Sequence, residues 1–207
     1  LGIWSAWFTS LDTDLSLAHE LWVEGSLAIL LANYNLTALA IQHFTPFFDT
    51  KAYSAIQIAL IATQRILASL WIKNTAKPSY GQPAFMIWSY AWGQFYSWLS
   101  YTTFAGLNTD VTLPVWISLG VSNSAALFSY FLWEKKPLSF ERLGLISLSG
   151  IGGAGVGLFS LLISYQFFRS NDIRVSSSVI MLSALAGKII GYFLTESMEE
   201  EKWMNKE

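Results

Sequence analysis

The chain has 207 residues, of which 53% are hydrophobic and only 13% are charged, whereas soluble domains carry about 25% charged residues. This deficit of charge predicts an integral membrane protein with little mass outside the bilayer. A net charge of −2, no cysteine and two histidines argue against a nucleic-acid-binding surface, a disulfide framework, a thiolate metal site and a histidine-rich metal centre.

Six stretches of the chain are almost free of charge, and each has the length of about 20 residues that a membrane-spanning helix requires. They predict spans near 17–39, 53–72, 84–106, 113–133, 143–168 and 175–195. All five prolines fall in connections or at helix starts, so we expect no proline kink. The predicted fold class is all-α: residues 1–207 form one transmembrane helical bundle with six spans, or with seven if a segment is missing from the chain.

The two ends of the chain are predicted to lie outside the hydrocarbon. Residues 1–16 contain indole rings but no basic cluster, so they predict an interfacial segment and not a signal peptide. Residues 197–207 predict a short polar tail. With six spans both termini share a side, and basic residues are more frequent there, which predicts cytoplasmic termini. That side holds Lys73, Lys77, Lys135, Lys136, Arg142, Lys202 and Lys206, against Lys51, Arg169 and Arg174 on the other.

Ionisable side chains inside the spans are the first candidates for function, because each costs about 3 kcal/mol at the bilayer centre. His19, Glu20 and Glu24 lie in the first span, with the two carboxylates one helical turn apart on one face. Arg65 lies in the second span, where it requires a carboxylate, carbonyl groups or water. These four residues predict a polar network, and the alternative is an interfacial cluster with a structural ion pair.

Lys188 lies deep in the last predicted span. A lysine withdrawn from water is a nucleophilic amine suited to Schiff-base formation. The alternative is a snorkelling or ion-paired lysine with a purely structural role.

Two further patterns belong to the spans. The glycine-rich run 150–157 lacks the ending of a phosphate loop and predicts close packing between helices. The aromatic run 85–101 places Trp88, Trp92 and Phe95 on one face, which can line a flat apolar ligand or pack against lipid. No catalytic motif accompanies them, so we do not expect an enzyme.

Several segments together carry a family resemblance. They are His19 with 27–33 in the first span, 106–110, 120–128 and 133–135 around the fourth, and 180–188 in the last. These segments resemble heliorhodopsins, which are relatives of the microbial rhodopsins with a cytoplasmic N-terminus. The resemblance implies retinal bound as a Schiff base on Lys188, with a lining of Trp88, Ser89, Tyr90, Trp92 and Ser183. It also implies a polar network of His19, Glu20, Glu24 and Arg65.

The chain departs from the heliorhodopsin pattern in three ways that affect Lys188, one of which is that Ser183 precedes it by five residues and not by four. The acidic counterion of the family falls on Ser89, which is neutral. The family has seven spans, and residues 201–207 resemble its loop between the sixth and seventh helices. The last span is therefore either the retinal helix or the helix before it, and in the second case Lys188 does not bear the chromophore.

The residues are compatible with three functions. The first is a retinal-binding membrane photoreceptor or a light-driven proton-handling protein. The second is a heliorhodopsin-like accessory subunit of a larger membrane complex, without chromophore. The third is a small six-span transporter or channel. In each case the expected partners are the lipid bilayer and either further copies of the chain or other subunits of a larger membrane complex, with no nucleic acid.

Overall fold

The computed structural model describes residues 17–42, 50–74, 81–106, 110–135, 138–168, 172–196 and 198. These residues form six α-helices and no strand. The helices are α1 (Leu17–Gln42), α2 (Thr50–Asn74), α3 (Gly81–Ala105), α4 (Thr112–Lys135), α5 (Phe140–Phe168) and α6 (Ile173–Leu194). Their bounds lie within a few residues of the six predicted spans, so the all-α prediction is confirmed. The predicted interfacial segment, 1–16, and the predicted tail, 197–207, lie outside the described residues, apart from Met198.

Three of the described helices are long and apolar enough to cross a membrane. The stretches are Thr112–Trp133, Phe140–Gln166 and Ile173–Leu194. Large apolar side chains cover their outer faces, among them Phe128, Val156 and Phe193, each about two-thirds exposed; this is the surface that lipid covers in a membrane protein. Helices α1 to α3 have 25 or 26 residues, which is about 38 Å, but among the described residues no stretch of them meets the same criterion of length and composition.

Helix α3 lies at the centre of the bundle, where it contacts α1, α4, α5 and α6. The most extensive contact joins α5 to α6, whereas α2 packs chiefly against α1. Helices that are consecutive in the chain run antiparallel, as the pairs Glu24–Arg65 and Tyr34–Tyr53 show for α1 and α2. Helices α1, α3 and α5 therefore begin at one end of the bundle, called the N-end here, and α2, α4 and α6 finish there.

Glycines allow the backbones of α5 and α6 to come close together. A Cβ on Gly153 would collide with the carbonyl oxygen of Ser183, and a Cβ on Gly157 would lie 3.1 Å from the Cα of Ile180. Gly152 and Gly155, by contrast, have no such neighbour within 4 Å. The predicted role of the glycine run in helix packing is confirmed for the face that holds Gly153 and Gly157, while the other face points outward.

Candidate functional site

The amine of Lys188 lies against aromatic rings of the central helix. Its Nζ is 3.9 Å from the ring centre of Trp92 and 5.3 Å from that of Tyr96. These distances fit cation–π contacts, which stabilise a cation by about 0.5–2 kcal/mol. Lys188 is six residues before the end of α6, so its side chain joins α6 to α3 about 9 Å inside the N-end. We call Lys188, Trp92 and Tyr96 the lysine–aromatic cluster.

Gly150 of α5 leaves room for this cluster. A Cβ at Gly150 would lie 2.7 Å from Cγ of Lys188 and 2.9 Å from the indole of Trp92. Trp92 is also held in place from α5, because its Nε1 donates to the hydroxyl of Ser147 at 3.4 Å. Three helices thus position the lysine and the indole.

Within the described part of the chain, Lys188 forms neither an ion pair nor a hydrogen bond. The carboxylate of Glu24, on α1, is instead paired with the guanidinium of Arg65, on α2. The hydroxyl of Tyr96 is buried and also has no hydrogen-bond partner among the described residues. The lysine–aromatic cluster therefore contains an amine and a phenol beside the faces of aromatic rings, and no described acidic side chain pairs with the amine.

Of the five residues predicted to line a ligand at Lys188, Trp92 contacts the lysine in the structure. Trp88 packs instead against the apolar cluster of Ala84, Trp133 and Leu143. Tyr90 points its hydroxyl to Asn33 of α1, and Ser183 lies between α5 and α6 beside Gly157. Ser89 is half-buried on α3. Tyr96 was not predicted as a site residue, although its spacing of four residues from Trp92 places both on one helical face.

The predicted polar network is centred on an ion pair between the first two helices. The Nη2 of Arg65 lies 2.6 Å from Oε1 of Glu24. One residue earlier on α2, the amide of Gln64 donates to the carbonyl of Val23 at 2.9 Å and to the hydroxyl of Ser26 at 2.8 Å. His19 is buried at the start of α1, and Glu20 is exposed.

A second polar network, of uncharged side chains, joins α1, α3 and α4. Asn33 and Asn123 donate to each other's side-chain oxygens at 2.8 and 2.9 Å. The hydroxyl of Tyr90 donates to Asn33 at 2.8 Å, and the amide of Gln94 donates to that hydroxyl at 3.2 Å. The placement of charged residues in the sequence does not predict this network, because its members are uncharged. Amide side chains in the middle of charge-free spans are the signal that could have found it, since they need partners inside the membrane.

A cavity of about 550 Å³ lies between α1, α2 and the nearby ends of α3 and α4. It has the volume of small-molecule sites, which is 300–1,000 Å³. The cavity lies beside α2, which packs chiefly against α1 and makes few contacts with the other helices. Its lining consists of Trp22, Val23, Ser26, Leu30, Leu60, Thr63, Gln64, Leu67, Ala68, Gln82 and Tyr130.

No protein-family profile matches the chain, and neither a curated protein nor a solved structure matches it at significant similarity. The resemblance to heliorhodopsins, and the retinal that it implies, therefore stay predictions from the sequence.

Proposed function

We propose that the chain is an integral membrane protein with six spans and cytoplasmic termini that carries retinal on Lys188. The observation that supports this proposal is the position of the Lys188 amine against the rings of Trp92 and Tyr96. Aromatic side chains are the usual walls of a site for a flat apolar molecule. An amine without a fixed acidic partner is available to react with a carbonyl group.

The aromatic rings around Lys188 suit a polyene aldehyde in their polarity. Trp92 and Tyr96 stack at 5.5 Å with an angle of 27° between their planes, so they present parallel flat faces. Gly150 lets the backbone of α5 approach the stem of the lysine, since a Cβ there would lie 2.7 Å from Cγ of Lys188. Among the described residues no carboxylate pairs with Lys188 to balance a positive charge on the nitrogen, so the aromatic faces take that role in our proposal.

When bound, retinal would supply the absorption of visible light. The chain would hold its aldehyde at Nζ of Lys188, keep water away through Trp92 and Tyr96, and fix the indole by its bond to Ser147. Covalent attachment joins the aldehyde carbon to Nζ and releases one water molecule.

We expect that all-trans retinal added to the purified protein will give an absorption band distinct from that of free retinal. The reason is that covalent attachment at an aromatic site changes the electronic surroundings of the polyene. Reduction with borohydride followed by peptide mass spectrometry should place the adduct on Lys188. Lys188→Ala should abolish both signals.

Lys51→Ala is the matched control, because Lys51 is an exposed lysine at the start of α2. It should leave the band unchanged. An unchanged band in Lys188→Ala, or an adduct on another lysine, would contradict the proposal. If the folded protein takes up no retinal at all, a chromophore-free scaffold or accessory subunit of a membrane complex becomes the better assignment.

A second candidate function, a small transporter or channel, is favoured by the ion pair between Glu24 and Arg65. The pair lies at the α1–α2 interface that also forms one wall of the cavity. Charged groups inside a membrane protein commonly mark the path of an ion or a polar substrate.

For this second candidate, proteoliposomes should show a flux of protons or small ions in the dark and without retinal. Glu24→Gln should reduce the flux about tenfold or more, because it removes the anionic group from the path. The double variant Glu24→Gln, Arg65→Gln controls for folding, since it removes both charges together. A flux equal to that of empty liposomes would rule out this candidate.

A further inference from the structure

The cavity between α1 and α2 has a polar mouth and an apolar inner end. Gln82 is the second residue of α3 and lies at the N-end, and Tyr130 lies about 8 Å inside that end. Leu30 and Leu60 lie about 20 Å inside it, counted along α1 and α2. The lining therefore runs from the N-end toward the middle of the bundle over a length of roughly 18 Å. In the proposed six-span arrangement, on which this inference rests, that direction is from the membrane interface toward the bilayer centre.

The mouth of the cavity carries a free polar group. The side-chain amide of Gln82 makes no hydrogen bond within the described part of the chain. Gln64, halfway down, uses both amide hydrogens on α1. The amide hydrogens of Gln82 are thus available to an acceptor on a ligand at the interface, and those of Gln64 are already in use.

In the proposed six-span arrangement, the wall of the cavity formed by α2 faces the hydrocarbon. Leu67 belongs to its wall, yet 61% of that residue is exposed. A molecule dissolved in the bilayer can therefore enter between α2 and the body of the bundle without passing through water.

From these three features we infer that the cavity binds a single-chain amphiphile of the fatty-acid class. Its hydrocarbon chain would lie along Leu60 toward Leu30, and its carboxylate would accept hydrogen bonds from the amide of Gln82. A cavity of this length suits one extended hydrocarbon chain, whereas a bulky ring system would need a shorter and wider cavity. The inference concerns α1 and α2, and it is independent of retinal on Lys188.

Photolabelling tests this inference with a palmitic acid that carries a diazirine near the end of its chain. With the full chain in nanodiscs, we expect label on α1 and α2 near Leu30 and Leu60, and competition by unlabelled palmitate. Label on the outer faces of α4 to α6 comes from bulk lipid and should resist competition.

Ala68→Phe fills the cavity and should reduce the competable label about tenfold. Ala62→Phe is its matched control, because Ala62 is an exposed alanine of α2 outside the lining, and it should leave the label unchanged. Gln82→Leu should weaken competition by palmitate more than competition by hexadecane, which has no headgroup.

Label that resists competition in the unmodified chain overturns the inference, and this measurement does not depend on any variant. Equal label in Ala68→Phe and Ala62→Phe would also overturn it. Competition by hexadecane as strong as that by palmitate would show that the cavity takes hydrocarbon alone, which contradicts the role of Gln82.

Discussion

Replacing Gly153 with alanine will destabilise the bundle by about 2–3 kcal/mol, because the added methyl group overpacks the contact between α5 and α6. Its Cβ would meet the carbonyl of Ser183, with the carbonyl carbon at 3.0 Å, and the Cα of Gly187 at 3.1 Å. These are backbone atoms, so no side-chain rotation can relieve the collision. The two helices must separate, and the most extensive contact of the bundle weakens.

Gly152→Ala is the control for this prediction. Gly152 is in the same turn of α5 but faces outward, with no atom within 4 Å of an added Cβ. There the substitution should be neutral or stabilise the helix by up to about 1 kcal/mol, the difference in helix propensity between glycine and alanine. Unfolding in a mixed detergent titration measures both variants. Equal effects would show that α5 and α6 do not pack through this face.

Glu24→Gln is expected to destabilise the protein by about 2–3 kcal/mol, because in the proposed six-span arrangement it leaves the guanidinium of Arg65 in the membrane without its carboxylate. Arginine stays protonated in proteins, so its charge cannot be removed by loss of a proton. A charge at the centre of a bilayer costs about 2.5–3.5 kcal/mol. The side chain of Glu24 is 60% exposed and that of Arg65 is 24% exposed, so part of this cost is relieved by the surroundings.

The double variant Glu24→Gln, Arg65→Gln should recover most of the lost stability, since replacement of both charges is often neutral where removal of one is not. The free energies of unfolding of the two single variants and the double variant form a double-mutant cycle. A coupling energy near zero would mean that the 2.6 Å contact contributes nothing, and that lipid headgroups or water compensate each charge separately.

The positions of the helices could be predicted from the sequence, because the gaps between charged residues directly reflect what the hydrocarbon excludes. Which face of each helix packs against a neighbouring helix was harder to predict. The run 150–157 has a glycine at positions 150, 152, 153, 155 and 157, so composition alone does not say whether Gly153 or Gly152 faces a neighbour. That depends on the rotation of α5 against α6, which is a tertiary property.

The candidate site could be predicted only in part for a similar reason. Lys188 and Arg65 stood out because a charge inside a span is costly. The contact of Lys188 with Trp92 depends on α3 and α6 packing together, and no local pattern encodes it. Asn33 and Asn123 are 90 residues apart and carry no charge, so a search for ionisable groups passed over both of them.

The peripheral position of α2 has a consequence for how movement would spread through the molecule. Because α2 packs chiefly against α1, a displacement of α2 acts on the other helices mainly by way of α1. From there the side chains of Asn33 and Tyr90 connect α1 to α3, the helix that presents Trp92 to Lys188. A change at Arg65 would therefore reach the surroundings of Lys188 mainly through α1 and then through α3.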